Sequence, residues 1–138
     1  LLCQILQKRF SHLKELSIQN VVMDSRKVVA GSLFFAIQNW NRYVSEALEK
    51  GASIVIADHY SEPHERVISV KDTVLFMQEL AAEYRRFLTT KLIAITGSNG
   101  KTTTKDIVYA ILSKTFPTKK TLGNYNNHIG LRFTILNL

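Results

Sequence analysis

The sequence predicts an α/β protein: a small α/β unit over residues 1–88, followed by the opening strand, glycine-rich turn and helix of a second, incomplete unit over residues 89–138. Up to residue 88, β-prone apolar runs alternate with segments of helical period. Beyond it, the apolar run LIAIT enters the turn GSNGKTTT and then a further helical pattern. The balance of 46% hydrophobic and 21% charged residues is that of a chain able to bury a core.

Each element has a local reason. In residues 1–18, Leu2, Ile5, Leu6, Phe10 and Leu13 fall near helical spacing. VVMDSRKV (21–28) reads as a strand running into a polar turn, and GSLFFAI (31–37) as a compact strand. VSEALEKGA (44–52) reads as a helix with Gly51 as its stop. SIVIADH (53–59) and RVISVKD (66–72) read as strands, separated by a loop that carries Pro63. Residues 72–88 carry the strongest helical pattern, with Asp72 or Thr73 as N-cap and Leu75, Met77, Leu80, Ala81, Tyr84 and Leu88 as apolar positions. LIAIT (92–96) is expected to be a strand, and a helix is expected from about residue 102 to 114 through Ile107, Val108, Ile111 and Leu112. An extended piece is expected around residues 118–122, then a polar loop GNYNNHIG (123–130), and LRFTILNL (131–138) opens another apolar, β-type element.

Composition narrows the function. No apolar run approaches the ~18–20 residues that a bilayer span needs, and the opening LLCQILQKRF has no signal-peptide pattern. The absence of an initiator Met leads us to expect further residues before Leu1. The lone Cys3 excludes an internal disulfide and a cysteine zinc site, so a reducing cytoplasm is expected. The formal net charge of +7 suggests a polyanion partner such as nucleic acid, but its distribution argues otherwise. Residues 1–90 carry a net +1 and residues 91–138 a net +6, with Asp106 the only acid of the second stretch.

That excess surrounds AITGSNGKTTTKD (94–106), the strongest local signal. Gly97 and Gly100 let the backbone turn tightly and gather N–H groups, and the helix that follows aims its positive end at the same point. Ser98 and Asn99 complete the turn, Lys101 supplies a point charge for the terminal phosphates of a nucleotide, Thr102 offers a hydroxyl to Mg²⁺, and Thr103 can bond a phosphate oxygen. Ile95 stands where the usual phosphate loop has its first glycine, so the form is T-G-x-N-G-K-T-T.

With two further segments, this loop resembles the Mur ligase family of ATP-dependent amide-bond-forming enzymes. DSRKVVAGSLFFAI (24–37) resembles the family's D-[ST]-R-x-x-x-x-G-x-[LF]-F-x-A motif, and EALEKGASIVIAD (46–58) the helix and strand after it. GNYNNHIG (123–130) resembles the form typical of members that add D-alanyl-D-alanine to UDP-MurNAc-tripeptide. The resemblance implies an N-terminal UDP-substrate domain (1–88) and the start of a central P-loop-type ATPase domain (89–138). It implies Gly97, Ser98, Asn99, Gly100, Lys101, Thr102 and Thr103 as ATP residues, Lys101 as the catalytic cation and Thr102 as a Mg²⁺ ligand. It implies Asp24, Ser25, Arg26, Asn124, Asn126, Asn127 and His128 as substrate contacts. The implied reaction activates the tripeptide carboxylate as an acyl phosphate, which the amine of D-Ala-D-Ala attacks; the implied enzyme is a cytoplasmic monomer.

The chain departs from the family pattern in its short stretch after Ile37, in Arg132 where proline is common, and in lacking counterparts of the family's second metal-ligating acid, carbamylated lysine and dipeptide domain. The 138-residue chain is therefore expected to be inactive alone. Rival readings are a ligase adding the third peptide residue, a folylpolyglutamate synthase-like ligase, and a basic nucleic-acid-binding module. Trp40 and Tyr43 read as packing residues, and His12, His59 and His64 as surface or structural.

Overall fold

The computed structural model of the chain describes residues 1–13, 15–37, 42–121 and 128–138. Four strands, β1 (Asn20–Val22), β2 (Ser32–Ala36), β3 (Ile54–Asp58) and β4 (Val67–Val70), form one parallel sheet in the order β1-β2-β3-β4. Around it lie α1 (Leu2–Arg9), α2 (Val44–Glu49) and α3 (Thr73–Phe87), followed by α4 (Lys101–Leu112) and α5 (His128–Leu136). Two of the parallel crossovers contain no α-helix: residues 23–31, with a single 3₁₀ turn at Ser25–Lys27, and residues 59–66. The strands are short enough to allow this. A five-residue strand is roughly 17 Å long, and an eight-residue return reaches roughly 26 Å when extended.

The sheet is buried on both faces, which is why β2 reads as a continuous apolar run. Leu33, Phe35 and Ile37 face a core shared with α1 and α3, through Leu6, Phe76, Met77 and Leu80. Phe34 and Ala36 face the opposite core with Val44, Ala47 and Val55. Leu33 pairs with Val21 and with Ile54, so the neighbouring strands bring their own apolar side chains into register.

Helix ends follow the local chemistry. Gly51 takes φ +87°, while its N–H donates to Leu48 O at 3.0 Å and the Ala52 N–H donates to Ala47 O at 3.0 Å. This is the paired closure that a left-handed glycine permits after a helix. Asp72 caps α3, its Oδ1 accepting the Leu75 N–H at 2.8 Å. Asp72→Ala is expected to destabilise the chain by about 0.5–2 kcal/mol, read as a lower denaturation midpoint. An unchanged midpoint would show that the cap contributes nothing.

Three expectations change in the second half. Residues 92–96 form no strand, and Leu92 and Ile93 are exposed. A strand needs a neighbour to take its N–H and C=O groups, and among the described residues none lies beside this run. Residues 118–121 likewise carry no strand. LRFTILNL is helical, not β: Ile129, Phe133 and Leu136 recur at helical spacing and pack on the α1–α3 core, and α5 lies against α3 and β1. A helix satisfies its own backbone, which an unpartnered strand cannot do. The expected helix over 102–114 is present as α4, but none of its residues is buried, and Ile107 and Ile111 are exposed.

Candidate functional site

The turn after β1 is built by its own side chains. Asp24 accepts the Arg26 backbone N–H at 3.0 Å and caps the 3₁₀ turn. The Arg26 guanidinium returns to the same carboxylate, Nε to Oδ1 at 2.9 Å and Nη2 to Oδ2 at 2.8 Å. Ser25 is buried between them, and Lys50 Nζ donates to its carbonyl at 3.0 Å. The Arg26 side-chain hydrogen bonds, then its backbone N–H, hold the Asp24 carboxyl at about 2 against an ordinary 3.8. A folded value below the unfolded one adds stability that is present above about pH 4 and is lost as pH falls towards 2. Arg26→Ala is expected to move the Asp24 titration back towards its ordinary value. Carbon-13 NMR of the carboxyl checks this, and an unmoved midpoint would assign the shift to another cause.

Asp24, Arg26 and Lys27 line one side of a cleft of about 760 Å³. Val22 and Ile37, at the carboxyl ends of β1 and β2, line it too, the end of a parallel sheet at which ligands characteristically sit. Ile129, Phe133, Thr134 and Asn137 of α5 and its C-terminal end form a second wall, and Tyr109, Lys119 and Lys120 a third. The lining is largely apolar with a cationic rim, which suits a ligand joining a flat or hydrocarbon body to anionic groups.

The phosphate loop lies outside this lining, but α4 runs from the loop to the cleft wall. Gly100 is the N-cap of α4 at φ +77°, a conformation that a side chain disfavours, and Gly97 has φ +148°. Lys101 folds back over the turn, its Nζ donating to Gly97 O at 2.6 Å and Ser98 O at 3.3 Å. Thr102 and Thr103 are exposed in the first turn of α4. Further along, Lys120 Nζ donates to Asp106 Oδ1 at 2.8 Å and stands 4.5 Å from the Tyr109 ring centre, while Lys105 Nζ donates to Thr121 O at 3.0 Å. The Lys120 hydrogen bond also lowers the Asp106 titration. These contacts tie the loop helix to the segment that carries the cleft lysines.

The donor set fits a nucleotide phosphate: a glycine turn, a helix N-terminus and an ammonium converge. For Mg²⁺ it offers the Thr102 hydroxyl. Among the described residues there is no cluster of three or more His, Cys, Asp or Glu, and Asp106 is already held by Lys120. Of the sequence-derived substrate contacts, Asp24, Ser25 and Arg26 come together at the β1 turn. Asn124, Asn126 and Asn127 lie outside the described residues, as do Trp40 and the side chain of His128. Lys119, Lys120, Tyr109 and Asn137 were not singled out from sequence, since only the fold brings them to the cleft. The local basic excess was the one available signal for the two lysines.

Comparison with known proteins fits this arrangement. A family profile for the Mur ligase middle domain matches residues 95–138. The UDP-N-acetylmuramoyl-tripeptide–D-alanyl-D-alanine ligase of Bacillus subtilis is 41% identical over 126 residues, covering 86% of this chain and 28% of that protein. The ligase of the same name from Escherichia coli is 34% identical over 128 residues, 90% of this chain and 28% of that protein. Residues 95–138 thus match a Mur ligase domain, and the chain as a whole is similar to these ligases. The chain also matches solved structures. MurF ligase from Thermotoga maritima, in complex with ADP, aligns with a TM-score of 0.76 at 33% identity, covering 91% of this chain and 30% of that one. MurF from Acinetobacter baumannii aligns at 0.80 and 32% identity, covering 99% and 32%. The chain thus spans about three-tenths of the length of the relatives it matches. Among its described residues no helix is long and apolar enough to cross a membrane.

Proposed function

We propose that this chain carries the nucleotide-substrate cleft and the ATP phosphate loop of a cytoplasmic, monomeric ligase that joins D-alanyl-D-alanine to UDP-MurNAc-tripeptide. The observation that carries the reading is the physical link between the two sites: one helix, α4, begins at the phosphate loop and contributes Tyr109 to the wall facing the Asp24–Arg26 turn. The named activity of the relatives supports the choice of substrates. In this reading residues 1–88 form the UDP-substrate domain, and residues 89–138 open the ATP-binding domain.

A carboxylate is a poor electrophile, and ATP supplies the phosphoryl group that converts its oxygen into a leaving group. The chain's share is positioning and charge neutralisation. Backbone N–H groups of residues 97–103 cradle the phosphates, Lys101 neutralises the charge that develops there, and Thr102 would offer its hydroxyl to a Mg²⁺ ion that, when bound, adds charge neutralisation at the phosphates. Arg26, Lys27, Lys119 and Lys120 give the cleft the positive rim that a nucleoside diphosphate requires. Asn124, Asn126, Asn127 and His128 contact the same substrate in this reading.

The test is ADP release by the protein that carries this chain, with ATP and Mg²⁺ and two substrate pairs. Release is expected with UDP-MurNAc-tripeptide and D-Ala-D-Ala. Release only with UDP-MurNAc-dipeptide and a free diamino acid would move the enzyme to the preceding step of peptide growth.

A further inference from the structure

β1 is an edge strand, so among the described residues one side of its backbone has no neighbouring strand. The side chain of Asn137 occupies that side. Its Oδ1 accepts the Val21 N–H at 3.1 Å and its Nδ2 donates to the Val21 carbonyl at 3.2 Å. One amide thus makes the donor–acceptor pair that a residue of an adjacent strand would make. Nδ2 also donates to Phe133 O at 3.0 Å, fixing the amide to its own helix. The backbone carbonyl of Asn137 accepts from Lys119 Nζ at 2.6 Å. Asn137 therefore touches all three walls of the cleft: β1 three residues before Asp24, the end of α5, and the lysine segment. Around it, Leu136 is buried in the α1–α3 core, and Phe133 packs against that core.

We propose that Asn137 is a positioning residue for the nucleotide cleft: as a one-residue surrogate strand on β1, it sets the Asp24–Arg26 turn against α5 and Lys119. The proposal rests on the reading of the cleft as a UDP site. Removing the amide leaves the Val21 N–H and C=O unpaired at a half-buried edge and frees the walls to shift, whereas residues 97–103 lie outside the cleft that Asn137 lines.

The experiment measures UDP and ADP affinity by calorimetry, and Val21 amide exchange by NMR, for the full chain and for Asn137→Leu and Asn137→Asp. Asn137→Leu is expected to weaken UDP about tenfold, to leave ADP unchanged, and to speed Val21 exchange; about tenfold corresponds to the loss of one net hydrogen bond. Asn137→Asp keeps the acceptor for the Val21 N–H but sets a carboxylate oxygen against the Val21 and Phe133 carbonyls, so it is expected to weaken UDP at least as much, and it carries the test if the leucine variant fails to fold. UDP affinity equal to that of the unsubstituted chain in either folded variant would overturn the positioning role alone. A parallel loss of UDP and ADP affinity would make Asn137 merely structural and also overturn it. An unsubstituted chain that binds ADP but no UDP would overturn the substrate reading of the cleft, and the positioning role with it.

Discussion

Lys101→Met is expected to lower ATP-dependent turnover of the protein that carries this chain by about 10²–10³-fold. The Lys101 ammonium lies within the loop turn, 2.6 Å from Gly97 O and 3.3 Å from Ser98 O. Methionine keeps the length of the stem and its helix propensity, so α4 should persist with Gly100 still as its N-cap. What disappears is the positive charge that Lys101 places over the loop turn. A charge acting where phosphoryl oxygens gather negative charge contributes more to the transition state than to ground-state binding, so the loss should fall mainly on kcat. Steady-state ADP release checks it, with the tripeptide substrate saturating. Unchanged turnover would remove Lys101 from the chemistry and reduce the glycine turn to a helix cap.

Phe35→Ala should produce the largest stability effect, about 3–5 kcal/mol. Phe35 is fully buried in β2, on the face covered by α1 and α3. β2 lies between β1 and β3, and Phe35 itself pairs with Ile56 of β3, so the backbone cannot collapse into the space left. Total stabilities of small domains are about 5–15 kcal/mol, so this one change should consume a large share. Denaturant unfolding followed by circular dichroism checks the value. A loss below about 1 kcal/mol would mean that the core repacks freely around the site.

The first half of the chain was legible because its elements are locally determined. Gly51 and Asp72 end and start helices as their side chains dictate, and the run Leu33–Ile37 alternates between two buried faces. The second half was read with the same rules and gave a strand at 92–96 and a β-element at 131–138. Both depend on neighbours, and local pattern does not record which neighbours are present. Ile129, Phe133 and Leu136 match a helical stripe as well as LRFTIL matches an alternating one, and contact with α3 decides between them. The site divided along the same line. The glycine loop and the Asp24–Arg26 turn are contiguous motifs whose chemistry shows in sequence. The cleft that joins the turn to Lys119, Lys120 and Asn137 is assembled from residues about a hundred positions apart. The +7 charge likewise proved local: part of it lines the cleft, and part is held by Asp106.

In the proposed function one chain presents a UDP-substrate cleft and a separate ATP loop connected by α4. The most direct measurement is an NMR titration of the 138-residue chain with UDP-MurNAc-tripeptide, and separately with ADP. The first ligand is expected to shift the amides of Met23, Asp24, Arg26, Lys119 and Lys120, and the second those of residues 97–103. Shifts from both ligands at a single shared site, or from the tripeptide nucleotide at neither, would contradict the proposed function.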